Sequence, residues 1–266
     1  MADARKIVVD PSAVAWRLGL MAAVLVVTSI GMQMYRLAAG RDQVPGLAWV
    51  TLDGEHNIPA LFSTLLLLAA ALLLALVARL ARDAKAGDVS KWVLLALGFF
   101  FMGIDESMSV HERLIDPMRN LLGGRELGIF FFAWVVPAIV LVGGLALYFL
   151  PFVFRLPRTT AVAFVASGAL YLGGALGVEL VEGWWREGHG HVNVMYHVLV
   201  TLEESLEMAG VIFFIRALLG HIATCFGDLH LHLRPAAEAV SSQAADTDAT
   251  NGAIAETSLL PRGTGS

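Results

Sequence analysis

The chain has 266 residues, 57% of them hydrophobic and 15% charged, with a mean hydropathy of +0.70 and a formal net charge of -5. Such a composition excludes a soluble globular domain and an intrinsically disordered chain. The slight acidity and the lack of any basic stripe exclude a nucleic-acid surface, so no nucleic-acid partner is expected.

A hydrocarbon core about 30 Å thick takes about 20 helical residues to cross. The apolar runs, such as LFSTLLLLAAALLLALVARL, are continuous and do not alternate with period two. Backbone groups in lipid must bond among themselves, and this pattern selects helices over a barrel. The expected fold class is all-α, a polytopic membrane bundle of about six transmembrane helices.

The first span is expected at 14–36. It is too long for a secretory leader and lacks a small-x-small cleavage site, so it reads as a retained helix. A loop follows at 39–59, carrying Pro45, Gly46, Trp49, Asp53, Gly54, Glu55 and His56. Trp49 suits a membrane interface, and a loop of this length is placed to cap a site.

The second span is expected at 58–81, the third at 92–115 and the fourth at 127–154. The fifth, 159–184, contains Gly173, Gly174 and Gly177, which permit close helix packing. The sixth covers 194–220. Beyond it, Asp228–Arg234 alternates polar and apolar residues and reads as an interfacial segment. Two regions follow: a six-helix transmembrane domain at 1–234, and a small-residue polar tail at 235–266 expected to be disordered, ending in a tag-like LLPRGTGS. The lone cysteine, Cys225, has no partner for a disulfide or a thiolate metal site.

With the N-terminus inside, the inner segments carry eleven Lys and Arg residues and the outer loops six. This bias favours N-in and C-in. The expected location is a multi-pass position in a cell membrane, on composition a bacterial inner membrane, with the site facing the periplasm or exterior.

Acidic residues interrupt three of these spans: Asp105 and Glu106 with His111 and Glu112, then Glu179 with Glu182, then His197 with Glu203, Glu204 and Glu207. A charged carboxylate at bilayer depth costs at least about 2.5 to 3.5 kcal/mol, so several in one chain call for a shared compensating partner. On a continuous helix Asp105 and Glu112 share a face, Glu179 and Glu182 are neighbours, and His197, Thr201, Glu204 and Glu207 form a stripe. Glu106 and Glu203 point aside. Alternating span directions bring every group to the same half of the membrane.

No Lys or Arg is expected at that depth, whereas Glu112, Asp116 and Glu187 lie beside Arg113, Arg119 and Arg186 near span ends and suit solvated ion pairs. Carboxylates with imidazole are hard and borderline ligands that suit zinc, iron or manganese. The expected cofactor is therefore a divalent metal ion, one or two per site, held by Asp105, Glu179, Glu182, His197, Glu204 and Glu207. Glu179-x-x-Glu182 and Glu204-x-x-Glu207 echo the Glu-x-x-His spacing of di-metal carboxylate bundles without the histidine. His111 or Glu112 is placed to act as general base or acid at the mouth.

The inner halves of the spans hold almost no ionisable groups, so the polar region reads as a dead end. The leading expectation is a metal-dependent membrane enzyme, a hydrolase or an oxidoreductase, acting on a lipid-like or small hydrophobic substrate. The alternatives are a divalent-cation or proton-coupled transporter and a non-catalytic interaction subunit. Membrane lipid and a metal ion are the expected partners.

Overall fold

A computed structural model describes residues 9–40, 44–124 and 126–227. The interfacial segment from Asp228 and the tail at 235–266 lie outside the described residues. Within them the chain is all-helical, and five helices are long and apolar enough to cross a membrane, or six if one bent pair is a single span.

The first helix, α1 (Pro11–Ala39), starts where Asp10 accepts a hydrogen bond from the Ser12 N–H at 2.9 Å and Pro11 presets the first turn. It stops at Gly40, whose φ of +57° a side chain would resist. Only Ser29 and Gln33 are buried on α1, so its apolar residues mostly face outward. Both polar groups are used: Ser29 Oγ accepts from the Leu52 N–H, and Gln33 Nε2 donates to Thr51 Oγ1. They tether the loop that carries the short helix α2 (Leu47–Val50). Trp49 of α2 is exposed, as a residue of the membrane interface would be.

Asn57 caps α3 (Ile58–Asp83) by accepting from the Ala60 N–H. Helix α4 (Val89–Met108) packs along α3, and Gly103 permits the approach, since a Cβ there would meet the Leu68 side chain at 3.0 Å. The expected continuous third span ends early. Ser109 adopts a left-handed φ of +49°, and the chain turns by 79° into a three-ten turn at His111–Leu114 and α5 (Ile115–Leu121).

Helix α6 (Val135–Val153) begins later than expected, because 127–134 forms a compact approach with a three-ten turn at Gly128–Phe130. Helix α7 (Arg158–Leu172), a π-helical segment (Gly173–Val178) and α8 (Glu179–His189) make one span. Asn193 opens the last helix, α9 (Val194–Phe226), accepting from the Tyr196 N–H.

Helix α9 is central and touches α1, α3, α7, the π segment and α8. Two glycines set the approach of α9 to α7 and the π segment. A Cβ on Gly210 would lie 2.7 Å from the Tyr171 nitrogen, and one on Gly174 would lie 2.7 Å from the Glu203 carbonyl oxygen. Gly173 and Gly177 meet no such neighbour. Away from the acidic residues the interior is packed with buried apolar side chains that include Leu74, Val77, Leu218 and Ile222, beside a buried Thr160–His221 pair.

Candidate functional site

One end of the bundle encloses a cavity of about 340 Å³. The tethered loop supplies Asp53 and Glu55; the end of α4 supplies Asp105 and Glu106; the turn after it supplies His111 and Glu112. Helix α8 supplies Glu179, Glu182 and Arg186, and α9 supplies Glu203, Glu204 and Glu207. Carboxyl groups from separate segments thus share one space with a single histidine and a single arginine.

The break after α4 is built around Asp105. One of its oxygens accepts the His111 backbone N–H at 2.8 Å, and the other lies 2.8 Å from His111 Nδ1. A carboxylate only accepts, so Nδ1 carries a proton, and in the neutral ring Nε2 is the acceptor. The His111 ring packs against Trp134, with centroids 4.6 Å apart, and Trp134 Nε1 donates to Glu179 Oε1 at 2.7 Å. A chain Asp105–His111–Trp134–Glu179 therefore fixes one wall.

Glu179 and Glu182 are 8% and 4% exposed, which is deep burial for two carboxyls one turn apart. Glu182 faces Glu203 and the Tyr196 hydroxyl, while its Oε2 is buried with no hydrogen-bond partner. Glu207 faces the Tyr171 hydroxyl. The π turn immediately before Glu179 adds a residue to the helical repeat and so sets the direction of both α8 carboxyls; such turns recur at functional sites.

Asp53 stands at the rim, open to solvent on one side. The protein around it raises its carboxyl above the ordinary value of 3.8, against the opposing pull of His197 and Arg186. Tyr196 donates its hydroxyl to Asp53 Oδ1 over 3.4 Å.

Five of the six expected metal ligands, Asp105, Glu179, Glu182, Glu204 and Glu207, line this cavity. His197 does not. It sits on the same stripe of α9 but above the cavity, near Asp53 and Arg36, with Nε2 buried and unpartnered. Among the described residues, no group of three or more His, Cys, Asp or Glu side chains is arranged to hold a metal ion.

His111 lines the cavity, and Glu112 lies at its exposed rim facing Glu55. Asp105 and Glu112 do not share a helical face, because the helix ends between them. Glu106 and Glu203, expected to point aside, both line the cavity, as do Asp53, Glu55, Tyr171, Trp134 and Tyr196. Arg186 also lines the cavity, so a cation stands closer to these acids than expected. Glu187 is occupied otherwise: it accepts the Leu127 and Gly128 N–H groups at 2.9 and 2.6 Å.

A family model described as a domain of unknown function (DUF8692) matches residues 16–222. Neither a curated protein nor a solved structure matches the chain. The match takes in the whole cavity and nearly all of the first and last long helices, so the chain belongs to the DUF8692 family.

Proposed function

We propose that this member of the DUF8692 family is a metal-dependent membrane enzyme whose acid-lined cavity holds one or two divalent cations. The observation that carries the reading is the imbalance of charge: carboxyls from the 53–55 loop, α4, the 111–112 turn, α8 and α9 face one another across a space that contains one arginine. Two like charges 4 Å apart repel by about 4 kcal/mol at an effective dielectric of 20, so the cavity must either take up protons or a multivalent cation.

Glu179, Glu182, Glu204 and Glu207 supply hard oxygen donors, with the orphaned Oε2 of Glu182 already lacking a partner. As placed, these oxygens do not surround one point, so an ion would gather them by rotation of the glutamate side chains. Asp105 orients His111, in the manner of carboxylates that support a catalytic or ligating imidazole. His111 Nε2 then accepts a proton at the cavity wall, and Glu112 exchanges it with the rim. A bound metal would lower the pKa of a coordinated water towards about 7. Zinc would indicate hydrolysis, and iron oxidation.

The substrate in this reading is amphipathic and enters from the surrounding lipid. A transport role is the second reading, and the packed interior away from the acids, with Leu74, Val77, Leu218 and Ile222, argues against it. The site faces the periplasm or exterior if the N-terminus is inside, and the membrane would be a bacterial inner membrane.

Elemental analysis of detergent-purified protein tests the proposal. Wild type should carry zinc, iron or manganese, and Glu179→Ala and Glu204→Ala should both lose the same element. Wild type free of these metals after growth and purification in their presence would contradict it.

A further inference from the structure

We infer that Arg186 forms an anion subsite at the mouth of the acid-lined cavity, taking the phosphate group of an amphipathic ligand. The inference rests on the reading that the cavity holds cations and adds the class of molecule presented to them. Arg186 lines the same cavity as the acids, yet among the described residues no carboxylate lies within salt-bridge distance of it. Its charge acts on Asp53, Glu112 and Glu182 without closing on any of them. Instead it is held among aromatic rings, 5.4 Å from the Phe131 centroid, 5.3 Å from Phe132 and 5.8 Å from Tyr196, with a long 3.5 Å hydrogen bond to the Tyr196 hydroxyl.

Its hydrogen bond among the described residues is the long one to Tyr196, which leaves most of its five N–H donors unused. The seat is built into the backbone. Gly183, one turn before Arg186, lets α8 approach Phe131 and Phe132 so closely that a Cβ would meet them at 3.1 and 3.2 Å. A rigid, underused fork of donors matches a phosphate, which accepts two parallel hydrogen bonds. Cations held among the acids would offset the negative charge of Asp53, Glu112 and Glu182 near Arg186 and would favour a phosphate there.

The surroundings favour a ligand with an apolar portion. Next in the chain to the lining segments, Met108, Ile129 and Trp184 are 50%, 48% and 53% exposed. These apolar side chains border the turn, the approach to α6 and α8. A phosphate on a lipid, or on a free phosphate ester, carries the required chemistry.

The test measures binding of phosphatidic acid and of diacylglycerol to the full chain in detergent with Mn²⁺ present, for wild type, Arg186→Gln and Arg186→Lys. Inorganic phosphate serves as competitor, and bound manganese is counted in the same samples. Wild type should prefer phosphatidic acid by at least about tenfold, Arg186→Gln should lose the preference, and Arg186→Lys should keep part of it. Competition by inorganic phosphate would assign the subsite to soluble phosphate esters; its failure would assign it to a membrane lipid; both support the subsite. Equal binding of the two lipids by wild type, or an unchanged preference in a folded Arg186→Gln protein, overturns it. Bound manganese reports on the acids separately, so a metal-free cavity and an absent anion subsite give different results.

Discussion

Asp105 grips His111 twice, accepting its backbone N–H and its ring Nδ1–H at 2.8 Å each across the break that ends α4. The same carboxylate therefore terminates a helix, turns the chain and fixes a tautomer. Replacement by alanine removes both bonds and should destabilise the protein by about 1 to 3 kcal/mol. Asp105→Asn should cost less stability, because its carbonyl still accepts the backbone N–H, but its amide would turn a donor towards Nδ1 and release Nε2 from its acceptor role. Thermal unfolding in detergent should rank wild type, Asn and Ala in that order, whereas any activity assay should place Asn close to Ala.

Close approach of α9 to α7 and the π segment depends on two missing side chains. Gly210→Ala would drive a methyl into the Tyr171 backbone, and Gly174→Ala into the Glu203 carbonyl. Neither obstacle is a flexible chain end, so each should destabilise by about 1 to 3 kcal/mol. Gly143→Ala and Gly168→Ala, where an added Cβ meets nothing within 4 Å, should be neutral or slightly stabilising. Thermal midpoints of the four variants check the contrast.

Outside the spans, Asp88 and Arg155 form a two-pronged ion pair, with Arg155 Nε 2.9 Å from Asp88 Oδ2 and a second bond from Nη2. The guanidinium holds the Asp88 carboxyl below its ordinary value of 3.8. Between the depressed folded value and the unfolded one, the unfolded chain binds more protons, so stability rises with pH across that window. The contribution is complete above about pH 3.8 and is lost as pH falls through the folded value. The stability gap between wild type and Arg155→Gln should therefore be flat near neutrality and close in acid. Salt should shrink it, since Arg155 is exposed and Asp88 is in partial contact with solvent.

Hydropathy made the long helices legible, because a chain in lipid has few alternatives to helices about 20 residues long. Azimuth on those helices was partly legible: the spacing of Glu179 with Glu182, and of Glu204 with Glu207, brings all four to one cavity. Periodicity failed where the helix itself stops. No glycine or proline marks the turn at Ser109, which is held by the Asp105 side chain, so periodicity places Glu112 on a face that does not exist. His197 lies at the expected azimuth but two turns above Glu204, where the tethered loop and Asp53 meet it. A single stripe leaves out Glu106 and Glu203, whereas a wide cavity admits two adjacent directions. Arg186 read as a surface ion-pair partner, and only the packing of Phe131 and Phe132 against α8 shows it turned into the mouth.

The most direct test of the central claim is the thermal unfolding midpoint of the full chain as divalent metal is titrated, for wild type and for a Glu179→Gln, Glu182→Gln, Glu204→Gln, Glu207→Gln variant. If the acids of separate helices share a cation, wild type should be stabilised by Zn²⁺, Mn²⁺ or Fe²⁺ in proportion to RT ln(1 + [L]/Kd) and destabilised by chelation. The quadruple variant, relieved of mutual repulsion, should be as stable as metal-free wild type or more so, and indifferent to metal. A wild type insensitive to all three metals, or a quadruple variant that responds like wild type, would contradict the account.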